Sequence, residues 1–404
     1  MRIDNHVHYT PPSIRENLAS YGEIEPYWGL LVTSDPYNHS LQGWATPEQM
    51  IGDMDQAGLD KIILLGEAQT RHDNCVERNN IGLEIIRRWP GRVMAFAVIQ
   101  PLAGQKAIDE LKRCVDSGML GMGEMGHYSG MYRFDDPDFL RVVEACIHLN
   151  IPINLHSNEE VGHFYLGKST IPLRHYYQLI CRYPELKLIM AHWGGGLFFY
   201  EVMPEVRRNL RNVYYDTAGG PLIFPTKGIF NAALQIIDHR KILYGSDYPL
   251  MICPKKQQCP DFKPFLAEID ALGLEKEIYE DILGNNCARL LGIIPDDGEQ
   301  EKPVERKKSS GQRFITEIAN TEGVKPGQFM AVSLVASTWP GTQAVFERYG
   351  IPWKDSPVPY WEPVAQAAAA HGMGLRERER LMNELIEAAG FQRGGPWWEN
   401  TDPG

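Results

Sequence analysis

Six residues spread over the first 250 positions, His6, His8, Glu124, His156, His192 and Asp247, each close an apolar, strand-like run. Imidazoles and carboxylates are the side chains that ligate divalent cations. His6 and His8 stand two apart, so a strand turns both rings to one face, with Asp4 on the same side. Three neutral imidazoles and one carboxylate around an ion leave a position for water, which is the pattern of a catalytic site. The metal lowers that water's pKa to about 7. On this reading His192 orients or deprotonates the water, Asp247 carries a proton to the leaving group, and Asp4 fixes the tautomers of the first-strand imidazoles. Glu124 ligates, bridges a second ion, binds substrate, or pairs with a barrel Lys or Arg.

The elements that must position these residues are also legible. Apolar runs begin at Lys61, Val93, Met122, Ile151, Leu186, Val213 and Ile242, which with the opening strand makes eight. Amphipathic stretches at 47–57, 79–89, 105–117, 137–149 and 171–183 separate them, their apolar residues recurring at three and four. Eight strands alternating with helices predict an α/β fold, a (β/α)8 TIM barrel over residues 1–294, whose active-site face lies at the C-terminal strand ends. Every ligand candidate falls at such an end.

Composition narrows the partners. A formal charge of -12 without a long basic stripe argues against nucleic acid. No run reaches the roughly 18 apolar residues of a membrane span, so a cytoplasmic protein is expected. The seven Cys lack a Cys-x-x-Cys pair and read as reduced thiols. Gly121-Met-Gly-Glu-Met-Gly126 fits a dinucleotide fingerprint, yet the residues after it cannot start the helix that would hold a pyrophosphate. Gly194-Gly-Gly196 reads as a loop allowing close backbone approach beside His192.

Residues 1 to about 294 resemble the amidohydrolase superfamily, in the branch holding the aminocarboxymuconate semialdehyde and dihydroxybenzoate decarboxylases beside lactonases and other metal-dependent hydrolases. The resemblance assigns His6 and His8 to strand 1, His156 to strand 5, His192 to strand 6 and Asp247 to strand 8. Gly284-Asn-Asn-Cys-Ala-Arg-Leu-Leu-Gly292 is similar to the segment that closes the barrel in this family. No Lys stands at the strand 4 end, where some members carry a carboxylated lysine. Gly123-Glu124-Met-Gly126 stands there instead and is similar to the two-metal segment of TatD-type nucleases.

Around the mouth, His163, Tyr165 and Lys168 occupy a loop placed for substrate contact, Trp193 is either a pocket wall or packing, and Arg71 is the one candidate to grip a substrate carboxylate. Residues 295–324 form a polar linker, 325–391 a small all-helical domain, and 392–404 a tail. The small domain resembles the family DUF1858, although its turn Pro352-Trp-Lys-Asp-Ser-Pro357 lacks the Cys, which leaves docking, oligomerisation or a lid as its roles. The expected protein is a homo-oligomeric, zinc-dependent hydrolase with one or two ions, acting on an amide, lactone or related bond of a small polar molecule. Non-oxidative decarboxylation of a small carboxylic acid is the alternative, and an idle scaffold carrying a binding module is the third reading.

Overall fold

The computed structural model describes residues 1–32, 40–126, 132–162, 165, 167–169, 171–294, 325–328, 330, 332–353 and 364–391. Two compact units divide the chain, Met1–Glu305 and Arg306–Gly404.

In the first unit, eight parallel strands run in chain order: β1 (Ile3–Val7), β2 (Lys61–Leu64), β3 (Val93–Ala95), β4 (Met122–Met125), β5 (Ile153–Leu155), β6 (Leu188–Met190), β7 (Val213–Asp216) and β8 (Ile242–Leu243). Their apolar character suits strands covered on both faces, and in β2 Ile62, Ile63 and Leu64 are all buried. Hydrogen bonding joins β1 to β3 and β4 to β8 as two sheets. Single bridges, Ala97 to Met122 and Val7 to Tyr248, complete the ring. The seam between first and last strands is held by Asn5 N–H to Tyr244 O, Asp247 N–H to His6 O and His8 N–H to Tyr248 O, at 2.9, 2.9 and 2.7 Å. The fold is therefore the expected TIM barrel.

Helices fill the intervals between strands. Helix Pro47–Ala57 starts on Thr46, whose hydroxyl accepts the Gln49 N–H at 3.1 Å, and stops at Gly58 with φ of 69°. The helix expected at 79–89 spans His72–Arg88, beginning about two turns earlier than the apolar period shows. Below the barrel, Asn286 Nδ2 donates to His239 O and Ile242 O at 2.8 and 2.9 Å. A Cβ at Gly284 would lie 2.1 Å from Met1 O, so the barrel-closing segment uses glycine for contact with the chain start.

In the second unit, helices Val332–Thr338, Gln343–Arg348, Val364–Ala370 and Leu375–Ala388 bury Val335, Phe346, Leu381 and Leu385 in a core of their own. The linker 295–324, residues 354–357 of the turn and the tail 392–404 lie outside the described residues. Among the described residues no helix is long and apolar enough to cross a membrane.

Candidate metal centre

All six residues converge at the C-terminal strand ends. His6 Nε2 and His8 Nε2 face each other at 3.1 Å. Asp247 Oδ1 lies 3.7 Å from the first and 3.4 Å from the second, and Glu124 Oε2 lies 3.7 Å from both. Glu124 Oε1 reaches His156 Nδ1 at 2.7 Å and His192 Nε2 at 3.2 Å, while these two nitrogens are 3.0 Å apart. Three triads, His6–His192–Asp247, His6–His8–Glu124 and Glu124–His156–His192, each hold ligand atoms within 4.8 Å of one another.

Asp216, at the end of β7, organises this cluster and is fully buried. Its Oδ2 accepts from His6 Nδ1 at 2.9 Å and Asn154 Nδ2 at 3.2 Å. Its Oδ1 accepts the backbone N–H groups of His192 and Ala218 at 2.9 and 3.1 Å. The partner of the first-strand imidazole is thus Asp216 and not Asp4, whose Oδ1 instead takes the N–H groups of His6 and Ser246 at 3.0 and 3.1 Å. A strand that shares its face with His6 still directs the Asp4 carboxylate to backbone across the seam. Sequence reasoning passed over Asp216, although it closes Val213-Tyr-Tyr-Asp as the other ligands close their strands.

His192 opens a left-handed turn, with φ of 56° there, 58° at Trp193, and 61°, 59° and 92° at Gly194, Gly195 and Gly196. Side chains disfavour that region, and here space forbids them as well. A Cβ on Gly195 would sit 2.2 Å from Asn158 O, and one on Gly194 would meet the Tyr215 ring at 2.7 Å. The three glycines therefore provide the close approach that their sequence suggested, and they swing the His192 ring toward β5.

Hydrogen bonding on the outer ring nitrogens decides what faces inward. His6 Nδ1 donates to Asp216, His8 Nδ1 to Leu65 O at 3.3 Å, His156 Nε2 to Gly167 O at 2.7 Å and His192 Nδ1 to Ala218 O at 2.9 Å. Each neutral imidazole then directs a lone pair into the centre, where two carboxylates also point. Lone pairs 3.0–3.1 Å apart repel unless a cation lies between them. The donor set thus fits a divalent metal, with His6, His8, Glu124, His156 and Asp247 as the residues available to hold it and His192 Nε2 beside them.

Protons take that role when metal is withheld. Burial opposes charge on His6, but Asp216 and Glu124 outweigh it and hold the ring well above its ordinary value. Burial likewise disfavours charged His192, yet Glu124 lifts it to about 9. Burial would raise Asp247, and hydrogen bonding from His8 with the charges of His6 and His192 brings it down to about 2. Because the folded His192 value exceeds the ordinary 6.5, its contribution to stability is complete below pH 6.5 and disappears as pH rises through 9. Chelated protein is expected to melt several degrees lower at pH 9 than at pH 6.5, and metal-loaded protein to show a smaller decline. Equal melting of the chelated form at both values would contradict this.

His8, Glu124, His156, His192 and Asp247 line the floor of a cavity of about 800 Å³. Tyr165 lines it too, but Lys168 does not and pairs with Glu159 at 2.8 Å. Trp193 is no pocket wall: fully buried, it stacks edge-on against Phe230 at 4.9 Å because the left-handed turn points it into the core. Arg71 is exposed and absent from the lining; it precedes helix His72–Arg88, and its backbone N–H is tied to Glu25. His163 lies outside the described residues.

Comparison with known proteins agrees with this geometry. The chain is 21% identical over 247 residues to 2-amino-3-carboxymuconate-6-semialdehyde decarboxylase of Dictyostelium discoideum, covering 53% of this chain and 65%, just under two thirds, of that relative. It superposes on 5-carboxyvanillate decarboxylase of Sphingomonas paucimobilis with a TM-score of 0.57 and 16% identity, over 72% of this chain and 98% of the other. A dihydroxybenzoic acid decarboxylase of Polaromonas, solved with manganese and the inhibitor 2-nitroresorcinol, gives a TM-score of 0.53 and 17% identity over 72% and 97%. A family model described as amidohydrolase matches residues 3–293. Spanning the whole ring of strands and all six converging side chains, that match makes this chain a member of the amidohydrolase family.

Proposed function

We propose that this chain is a metal-dependent, non-oxidative decarboxylase. Hydrolysis was the first expectation from sequence; the named relatives are decarboxylases and move the reading to carbon–carbon cleavage. The observation that carries it is the position of His192, a cavity-lining imidazole whose Nε2 faces inward 3.2 Å from Glu124 Oε1 and beside the other inward donors. Three imidazoles, His6, His8 and His156, suit zinc, while the Polaromonas relative holds manganese. When bound, the cation supplies positive charge to the substrate carboxylate and a neighbouring oxygen.

The residues then have separable tasks. Asp216 fixes the His6 ring and the His192 backbone, so the donors do not reorganise as charge shifts. Breaking the bond to the carboxyl group leaves an electron pair on carbon as CO2 departs. His192 Nε2 delivers a proton to that carbon, with Glu124 Oε1 at 3.2 Å orienting the ring. Water entering through the cavity restores the proton.

Metal-loaded protein offered a panel of aromatic and unsaturated acids is expected to release CO2 and, in D2O, to place deuterium where the carboxyl group was. His192→Asn is expected to lower that rate by about 10²–10⁴-fold with metal retained. Full activity in His192→Asn would remove it as the acid. A second reading, hydrolysis, is favoured by the lack of any Lys or Arg among the described lining residues. It predicts turnover of esters, lactones or amides with no CO2.

A further inference from the structure

We propose that the substrate is a monocarboxylic acid with an extended apolar body, whose far end leaves the cavity between Phe199, Tyr200, Leu222 and Val161. The carboxylate end of this assignment rests on the decarboxylase reading; the apolar end rests on shape and charge.

Volume comes first. About 800 Å³ is available, whereas a cavity of about 150 Å³ holds a benzene ring. A benzoate-sized acid bound at the floor would leave most of the space to water against apolar walls, among them Trp28, Leu31, Leu173, Phe224 and Leu250. The apolar surface does not end at the mouth. Phe199, Tyr200, Leu222 and Val161 line the cavity and are 42%, 51%, 37% and 88% exposed. Isolated exposed apolar side chains are ordinary, but four continuous with one cavity extend its wall outward.

Charge sets the second limit. No Lys or Arg lines the cavity among the described residues, and none of residues 33–39, 127–131, 163, 164, 166 and 170 is Lys or Arg. Among the described lining residues the acidic groups beyond the floor are Glu67, Glu159 and Glu160. Glu67 is held by Trp28 Nε1 at 2.8 Å and by Arg78, Glu159 by Lys168 and Tyr165, and Glu160 by the Leu173 N–H. Among the described lining residues a second anionic group on the ligand would find no lysine or arginine to offset its desolvation, and the three outer carboxylates would repel it.

Saturated hydroxamic acids test this on the metal-loaded full chain, with acetyl, hexanoyl and decanoyl hydroxamates titrated calorimetrically. Affinity is expected to rise about two- to fourfold per methylene, and an ω-carboxylate on the hexanoyl chain to cancel the gain. Leu222→Ser is expected to weaken the decanoyl compound while the hexanoyl-to-acetyl ratio stays unchanged. A flat series, or equal binding of the ω-carboxylated chain, overturns the proposal. The two readings fail separately: flat binding with intact CO2 release discards the apolar tail alone, and a climbing series with no CO2 from any acid discards decarboxylation alone.

Discussion

His6→Ala is expected to strip the metal and reduce turnover by at least ~10³-fold, since a bound cation supplies several kcal/mol of charge stabilisation and each 1.36 kcal/mol is a decade in rate. No donor is more central. His6 Nε2 stands 3.1 Å from His8 and 3.7 Å from both Glu124 and Asp247, and His6 belongs to two of the three ligand triads. Asp216→Asn refines the test. Asp216 accepts four N–H groups, two on each oxygen, and an amide would press an NH2 against two of them. Metal affinity is expected to fall about 10–100-fold with the barrel folded. Elemental analysis after gel filtration reads both variants, and stoichiometric metal in His6→Ala would dismantle the proposed centre.

Glu201→Ala is expected to destabilise the barrel by about 3–5 kcal/mol, the usual effect of stranding one partner of a buried ion pair. Glu201 is 1% exposed and its Oε1 accepts from both Lys241 Nζ and Tyr215 OH, the latter at 2.6 Å. Burial lowers the Lys241 pKa and Glu201 opposes that effect, so removing the carboxylate leaves an ammonium with Leu210 O at 3.0 Å as its recorded acceptor. The melting temperature is expected to drop by about 10 °C. Lys241→Met added to Glu201→Ala is expected to recover part of that loss, because no uncompensated charge then remains buried. A double variant less stable than the single would show that the lysine was not the liability. Glu201 lies near the end of the segment His192–Val202 that opens with the left-handed turn, so metal uptake by the single variant also reads how firmly that turn holds its histidine.

Residue order alone was enough to place the eight strands and the convergence of His6, His8, Glu124, His156, His192 and Asp247. Parallel strands buried on both faces are written as continuous apolar runs, and the barrel brings whatever closes each run to one rim. What failed was side-chain direction within loops. Trp193 adjoins a site histidine, yet left-handed backbone turns it into the core. Arg71 follows β2 at a plausible distance but precedes a helix whose polar first turn hides its start, and it faces solvent. Asp216 was visible as one more strand-closing carboxylate; only contacts with residues 24 to 210 positions away assign its task. The cavity walls come from several separate loops, and a linear pattern contains no measure of the space between them.

The seam between the first and last strands has a consequence for how the barrel holds together. His6 and His8 lie on one side of the closure and Asp247 on the other, joined by backbone bonds from Asp247 to His6 and from His8 to Tyr248. A cation gripped by all three is a rivet through the joint where the cylinder was zipped shut. Amides bordering that joint should exchange with solvent more slowly once the rivet is in place, while those between neighbouring strands such as β5 and β6 feel it least. Loading the ion would then double as a latch on the architecture, tightening first where two ends of a 250-residue ribbon meet.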